Sequence, residues 1–208
     1  MAEAKQPRGY FKYILAADCE TSGMVFNAAD PSYDPKDGTE YQAVSWGLIV
    51  ADTKTLKPVD QMYVEIQYDP KYAWSDGAQK VHGMSKEDLA KNGVPMEDAV
   101  EQIASLILKY WGPQSPVSML GHNVMTFDLP FMRRTLHSQG LDVRFANRHV
   151  DTNSVGFTVL ETHNSDDLFE AIGLPTRDPN NHNALVDAKN ALETVRIIRA
   201  IYKKIIEG

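Results

Sequence analysis

Cysteine is almost missing from this chain of 208 residues, which has only Cys19. An internal disulfide is therefore excluded, and a reducing compartment suits the protein. Long apolar runs are missing as well. None approaches the ~20 residues that a membrane span needs. Met1 to Arg8 carry no apolar stretch like that of a secretory signal, so a cytoplasmic protein without a membrane partner is the expectation. Internal repeats, low-complexity segments and composition shifts are also lacking. A single domain over residues 1–208, with a flexible start at 1–9, is the expected organisation, and it is long enough to bury a core. Positive charge is in short supply: 21 Lys and Arg face 28 Asp and Glu, a formal net charge of −7. Proteins that grip long duplexes present a broad basic face, because neutralised phosphates supply much of their affinity. This balance argues against such a footprint and leaves room for a protein that holds only a strand end.

What is present begins with a β-rich apolar run, Phe11 to Ala17, ending at Asp18. Residues Phe26 to Glu40, rich in Asp, Pro, Gly and Asn, read as a long loop. Two further strands are expected over Ala43–Ala51 and Met62–Tyr68. Val94-Pro95 opens a helix with Val100, Ile103, Ala104, Ile107 and Tyr110 on one stripe. A short strand at Val117–Leu120 follows, then a helix from Asp128 that stops before Gly140. Asp166 or Asp167 is expected to cap a short helix closed by Gly173. The last helix, Ala184 to Ile206, repeats Leu185, Ala188, Leu192, Val195, Ile198, Ile201 and Ile205. Three strands followed by alternating helices and strands make an α/β fold, a mixed sheet flanked by helices.

Acids and imidazoles gather at the ends of these elements. Asp18 and Glu20 stand two apart on a strand, so both side chains project to one face. Such a pair can bracket a hard cation of the Mg²⁺ or Mn²⁺ kind, although an isolated Asp-x-Glu is most often a solvated strand end. Asp128 stands at a helix start, where an acid also serves as a cap or dipole partner. His182 and Asp187 are five apart, about 140° around a continuous helix. The spacing therefore places His182 in a loop and Asp187 in the first turn of the helix after it. His137 and Asp142 show the same interval but have no helix following, and they read as surface.

In order and context these clusters resemble the DEDD exonuclease superfamily in its histidine-containing branch, DEDDh. Its members include the proofreading epsilon subunit of bacterial DNA polymerase III, ribonuclease T and oligoribonuclease. Asp18-Cys19-Glu20-Thr21-Ser22-Gly23 is similar to the first family motif. His122-Asn123 with Phe127-Asp128 and Phe131-Met132 resembles the second, and His182, Ala184-Leu185 and Asp187-Ala188 resemble the third. Val81-His82-Gly83-Met84-Ser85 and Val150-Asp151-Thr152 match secondary segments. Ala43-Val44-Ser45-Trp46-Gly47 departs from the pattern, standing where relatives often carry Ile-Glu-Ile-Gly. The resemblance covers about Tyr13 to Tyr202.

The resemblance implies a ribonuclease H-like, mixed five-stranded sheet with the 26–40 loop near the cleft. It also implies two divalent ions, Mg²⁺ or Mn²⁺, held by Asp18, Glu20, Asp128 and Asp187, with His182 as general base. Thr21, Met24, His82, Asn123 and Phe131 would meet the terminal nucleotide. The implied activity is 3′→5′ exonuclease action on single-stranded 3′ ends, DNA ahead of RNA, releasing nucleoside 5′-monophosphates. RNA 3′-end trimming and a non-catalytic polymerase-associated subunit are the alternatives, and a polymerase partner or a homodimer stays open. His122, His137, His149 and His163 lack partners at telling intervals and read as structural or surface residues.

Overall fold

The computed structural model describes residues 11–23, 41–175 and 182–207. The expected flexible start, the 26–40 loop and Met24 lie outside the described residues.

Three antiparallel strands come first: β1 (Tyr13–Thr21), β2 (Ala43–Asp52) and β3 (Pro58–Glu65). Helices α1 (Asp76–His82), α2 (Lys86–Asn92) and α3 (Met96–Trp111) follow, then β4 (Met119–Gly121), α4 (Asp128–His137) and β5 (Val150–Asp151). The described chain closes with α5 (Thr152–Leu160), α6 (Ser165–Ala171) and α7 (Ala184–Glu207). The sheet order is β3-β2-β1-β4-β5, and β1 pairs antiparallel with β2 and parallel with β4. This is the mixed sheet flanked by helices that the element order implied, with the five strands that the resemblance implied.

Alternation along β1 decides where the chemistry falls. Leu15, Ala17 and Cys19 pack with Val100, Ile103 and Ile107 of α3 and with Leu129, Phe131 and Met132 of α4. Ile14 and Ala16 point the other way, into a second core with Ala188, Ala191, Leu192 and Val195 of α7. Each large side chain so buried contributes about 1.5–3 kcal/mol. Asp18 and Glu20 continue the second row, so the period of two carries both acids to the α7 side of the sheet.

Several boundaries differ from the sequence reading. β1 does not end at Asp18 but runs to Thr21, because Asp18, Cys19 and Glu20 stay paired with Gly47, Trp46 and Ser45. The register slips between Glu20 and Thr21, the kind of bulge that re-aims a side chain beside a site. β3 begins and ends earlier than 62–68, with Pro58 paired to Ala51. The caps of α1, α2 and α5 are Ser75, Ser85 and Asp151, whose side chains accept from Ala78, Asp88 and Asn153 backbone N–H groups. The cap of α6 is Asn164, and Asp166 and Asp167 lie in its first turn.

Candidate metal centre

Three distant segments meet at the far end of β1. Ligand atoms of Glu20, His182 and Asp187 all lie within 4.8 Å of one another, a group that can hold a metal ion. Glu20 comes from β1, while His182 sits in the loop before α7 and Asp187 in its first turn. Asn183 starts that helix: its Oδ1 accepts from the N–H groups of Leu185 at 3.1 Å and Val186 at 3.2 Å. The His182 N–H donates to the Val81 carbonyl at 3.1 Å, tying the loop to α1.

Gly47 allows α7 to come this close. It lies opposite Asp18 in the β1–β2 register. A Cβ on Gly47 would stand 2.1 Å from the Leu185 nitrogen and 2.2 Å from the Ala184 carbonyl carbon, so backbone would have to move. Gly47→Ala should therefore cost about 1–3 kcal/mol in chemical denaturation and lift Asp187 and His182 away from Glu20. Calorimetry should show weakened Mn²⁺ binding. A folded variant with wild-type affinity would contradict this role. Sequence reasoning named Gly47 only as part of a departure from the family pattern, since nothing local marks a close approach by a helix more than a hundred residues later.

Asp128 arrives from the other side. β4 pairs with β1 only at Leu15 and Ala16, and past that point Asp128 takes the place of a neighbouring strand. The Cys19 N–H donates to its Oδ1 at 3.0 Å. The other oxygen, Oδ2, is buried and has no hydrogen-bond partner among the described residues. Burial raises the Asp128 carboxyl to about 7; the bonds from Cys19 oppose that rise and the Glu20 charge adds to it. A buried carboxylate oxygen left over beside further acids is what a hard cation would satisfy. The donor set thus fits a divalent metal.

A cavity of about 690 Å³ opens over these groups, lined by Asp18, Glu20, Thr21, His82, Asn123 and others. The Thr21 hydroxyl donates to the Gly23 carbonyl at 2.7 Å. His82 is buried, and its Nδ1 accepts from the Met84 N–H at 3.1 Å. Burial drives its pKa down to about 4, with the Thr21 backbone opposing the drop and the neighbouring His182 adding to it. Asn123 holds a left-handed backbone (φ 58), and the Asp151 carboxylate secures it by accepting its N–H at 3.0 Å. Asp151, quoted from the sequence only within a matching segment, thereby caps α5 and pins the cavity rim.

Phe131 is the expectation that needs correcting. It is 1% exposed and belongs to the core, while Phe127, one helical turn earlier and 5.2 Å away between ring centroids, lines the cavity. His122, read as structural or surface, also lines it. His149 is structural as read: Nδ1 accepts from the Met119 N–H at 3.0 Å, and Nε2 faces the Ala146 carbonyl at 2.7 Å.

No family model and no curated protein sequence matches the chain. Solved structures do. The nuclease domain of 3′hExo, a DEDDh family member bound to rAMP, aligns with a TM-score of 0.63 at 15% identity, over 92% of this chain and 94% of that one. The chain has the fold of that domain. A 3′-exonuclease that recognises the 3′ end of a histone mRNA stem-loop shares that fold at TM-score 0.65 and 16% identity, over 90% of this chain and 63% of its own length. A zinc-bound complex of E. coli exonuclease I with single-stranded DNA does so at 0.71 and 16%, over 95% and 42%. The chain thus spans less than two thirds of these last two proteins.

Proposed function

We propose that the chain is a single-domain, metal-dependent 3′→5′ exonuclease of single-stranded ends, acting in the cytoplasm and releasing nucleoside 5′-monophosphates. The observation that carries this reading is the convergence of Glu20, His182 and Asp187 beside Asp18 and the buried, half-satisfied Asp128, on this fold. Asp18, Glu20, Asp128 and Asp187 would hold two Mg²⁺ or Mn²⁺ ions. When bound, these supply positive charge against the phosphate and acidify a water.

The protein's own groups do the rest. His182, half-buried at the rim, takes the proton of the attacking water as a general base. The water oxygen bonds to phosphorus, the bond from phosphorus to the preceding 3′ oxygen breaks, and that oxygen leaves and takes up a proton from solvent to become a new 3′-hydroxyl. His82 has a different task. A pKa of about 4 and a ring nitrogen occupied by Met84 keep it neutral, so it shapes the wall for the terminal nucleotide. Thr21 and Asn123 flank the same space, and Phe127 offers the ring expected of Phe131.

We propose DNA ahead of RNA as the substrate, and a single-stranded-DNA complex of exonuclease I is among the proteins that share the fold. RNA is the second reading, favoured by the match in length to that rAMP-bound domain. Matched DNA and RNA oligomers labelled at the 5′ end decide between them. Mg²⁺-dependent shortening from the 3′ end, faster for DNA, is expected. Faster loss of RNA would reverse the order, and no shortening of either strand with Mg²⁺ or Mn²⁺ would overturn the nuclease reading.

His182 also lies within the metal-binding group, so its role is tested by separating turnover from affinity. His182→Ala should cut turnover by about a hundredfold or more while Mn²⁺ affinity is kept. Affinity lost together with turnover would make His182 a ligand.

A further inference from the structure

We propose that Phe157 and His163 form a stacking platform for a nucleobase upstream of the strand's 3′ end, a subsite that rests on the exonuclease reading. The two rings stack with centroids 4.8 Å apart and planes 29° from parallel. Both residues are exposed, Phe157 at 55%. An aromatic face left in water beside a cleft is a feature that a planar ligand can cover.

The platform is joined to the cavity by a short series of contacts. The His163 carbonyl accepts from Asn153 Nδ2 and faces His122 Nε2 at 3.3 Å. The other nitrogen of His122 lies 3.1 Å from Thr152 Oγ1, which itself donates to the Gly121 carbonyl at 3.1 Å. His122 lines the cavity, as does Ser165 two residues beyond His163. The stacked pair therefore sits at the rim on the β5–α5 side, held by the elements that form the wall.

Charge leaves the base, not the phosphate, as the group to be held. Helix α5 has the sequence TNSVGFTVL, without a charged side chain. In a chain of net charge −7, this leaves a surface that a phosphate backbone can cross without meeting a carboxylate on that helix. Nearby Glu161, Asp166 and Asp167 are acidic, so no phosphate clamp is offered. Affinity must come from the base. Stacking of a base on an aromatic side chain is worth about 1–3 kcal/mol and tolerates any base, which corresponds to about five- to one-hundred-fold in affinity.

The test uses the full chain and short single-stranded DNA labelled with fluorescein at the 5′ end, with Ca²⁺ in place of Mg²⁺. Binding is read by anisotropy. One abasic site is moved stepwise from the 3′ end. In the wild type, a single upstream position should lose about five- to one-hundred-fold. Phe157→Ala should bind the intact strand that much more weakly and show no further loss at that position. Phe157→Trp should restore affinity. Because stacking rather than charge is removed, the loss should persist at high salt.

Hydrolysis of the p-nitrophenyl ester of thymidine 5′-monophosphate, which has no upstream base, should be unchanged in Phe157→Ala. If the variant binds DNA like the wild type, or weakens every abasic strand equally, the platform is overturned while the ester still reports an active nuclease. If the wild type hydrolyses neither ester nor oligomer with Mg²⁺ or Mn²⁺, the exonuclease reading fails and the platform falls with it.

Discussion

Asp128→Asn should abolish metal-dependent cleavage and, with metal removed, raise the thermal midpoint of the protein above that of the wild type at pH 8. Both effects come from one buried carboxyl. The folded state raises the Asp128 pKa from the ordinary 3.8 to about 7, chiefly by burial. The stability tied to its protonated form is therefore fully present below the unfolded value near 3.8 and is lost as pH rises through about 7. Above that point, folding holds an anion in a site that disfavours it. Asparagine keeps an oxygen for the Cys19 N–H and is neutral at every pH. The gap between variant and wild type should thus be small near pH 4 and largest at pH 8. Adding Mg²⁺ should reverse the order, since only the wild type gains a ligand for the cation. Melting curves in EDTA and in Mg²⁺ at both pH values measure this. A variant less stable than the wild type at pH 8 without metal would refute the account of Asp128.

Asp187→Ala should reduce cleavage at least about a thousandfold, a loss of ~4 kcal/mol in transition-state stabilisation, with little change in the fold. Asp187 is 4% exposed and stands within the group formed with Glu20 and His182. Removing it takes away a proposed ligand that no neighbour on α7 replaces: Val186 is apolar, and Ala188 and Asn190 are turned into the body. Stability moves little because two small effects oppose each other. An acid in a first turn gains about 0.3–1 kcal/mol from the helix dipole, while alanine is the better helix former and relieves repulsion with Glu20. Mn²⁺ binding should fall steeply in calorimetry while the circular dichroism melt shifts by a few degrees at most. Retained Mn²⁺ affinity with lost cleavage would place Asp187 outside the metal centre.

The parts of this arrangement legible in the sequence are those fixed by short-range pattern. The apolar run before Asp18, the stripe of α3 and the long repeat of α7 each have one period, and each forms the expected element. The split of His182 and Asp187 into loop and first turn follows from helical geometry and is seen. What escaped depends on tertiary distance. Helices α1, α2 and α5 span seven, seven and nine residues, too short to show a periodic face, and they are defined by their caps. Phe127 and Phe131 share one side of α4, so only the tilt of that helix decides which ring meets the cavity. Asp151 and Gly47 act on residues of other elements, through a backbone N–H and through a missing side chain.

The replacement of a strand by a carboxylate at Cys19 gives the protein a built-in reporter. On that edge the Leu15 amide answers to the Ser118 carbonyl, but the Cys19 amide answers to an ionisable oxygen. Its ¹⁵N resonance should therefore follow proton and cation at Asp128 directly, so that a single backbone signal, assigned once, reads the state of the proposed metal pocket without any substrate present.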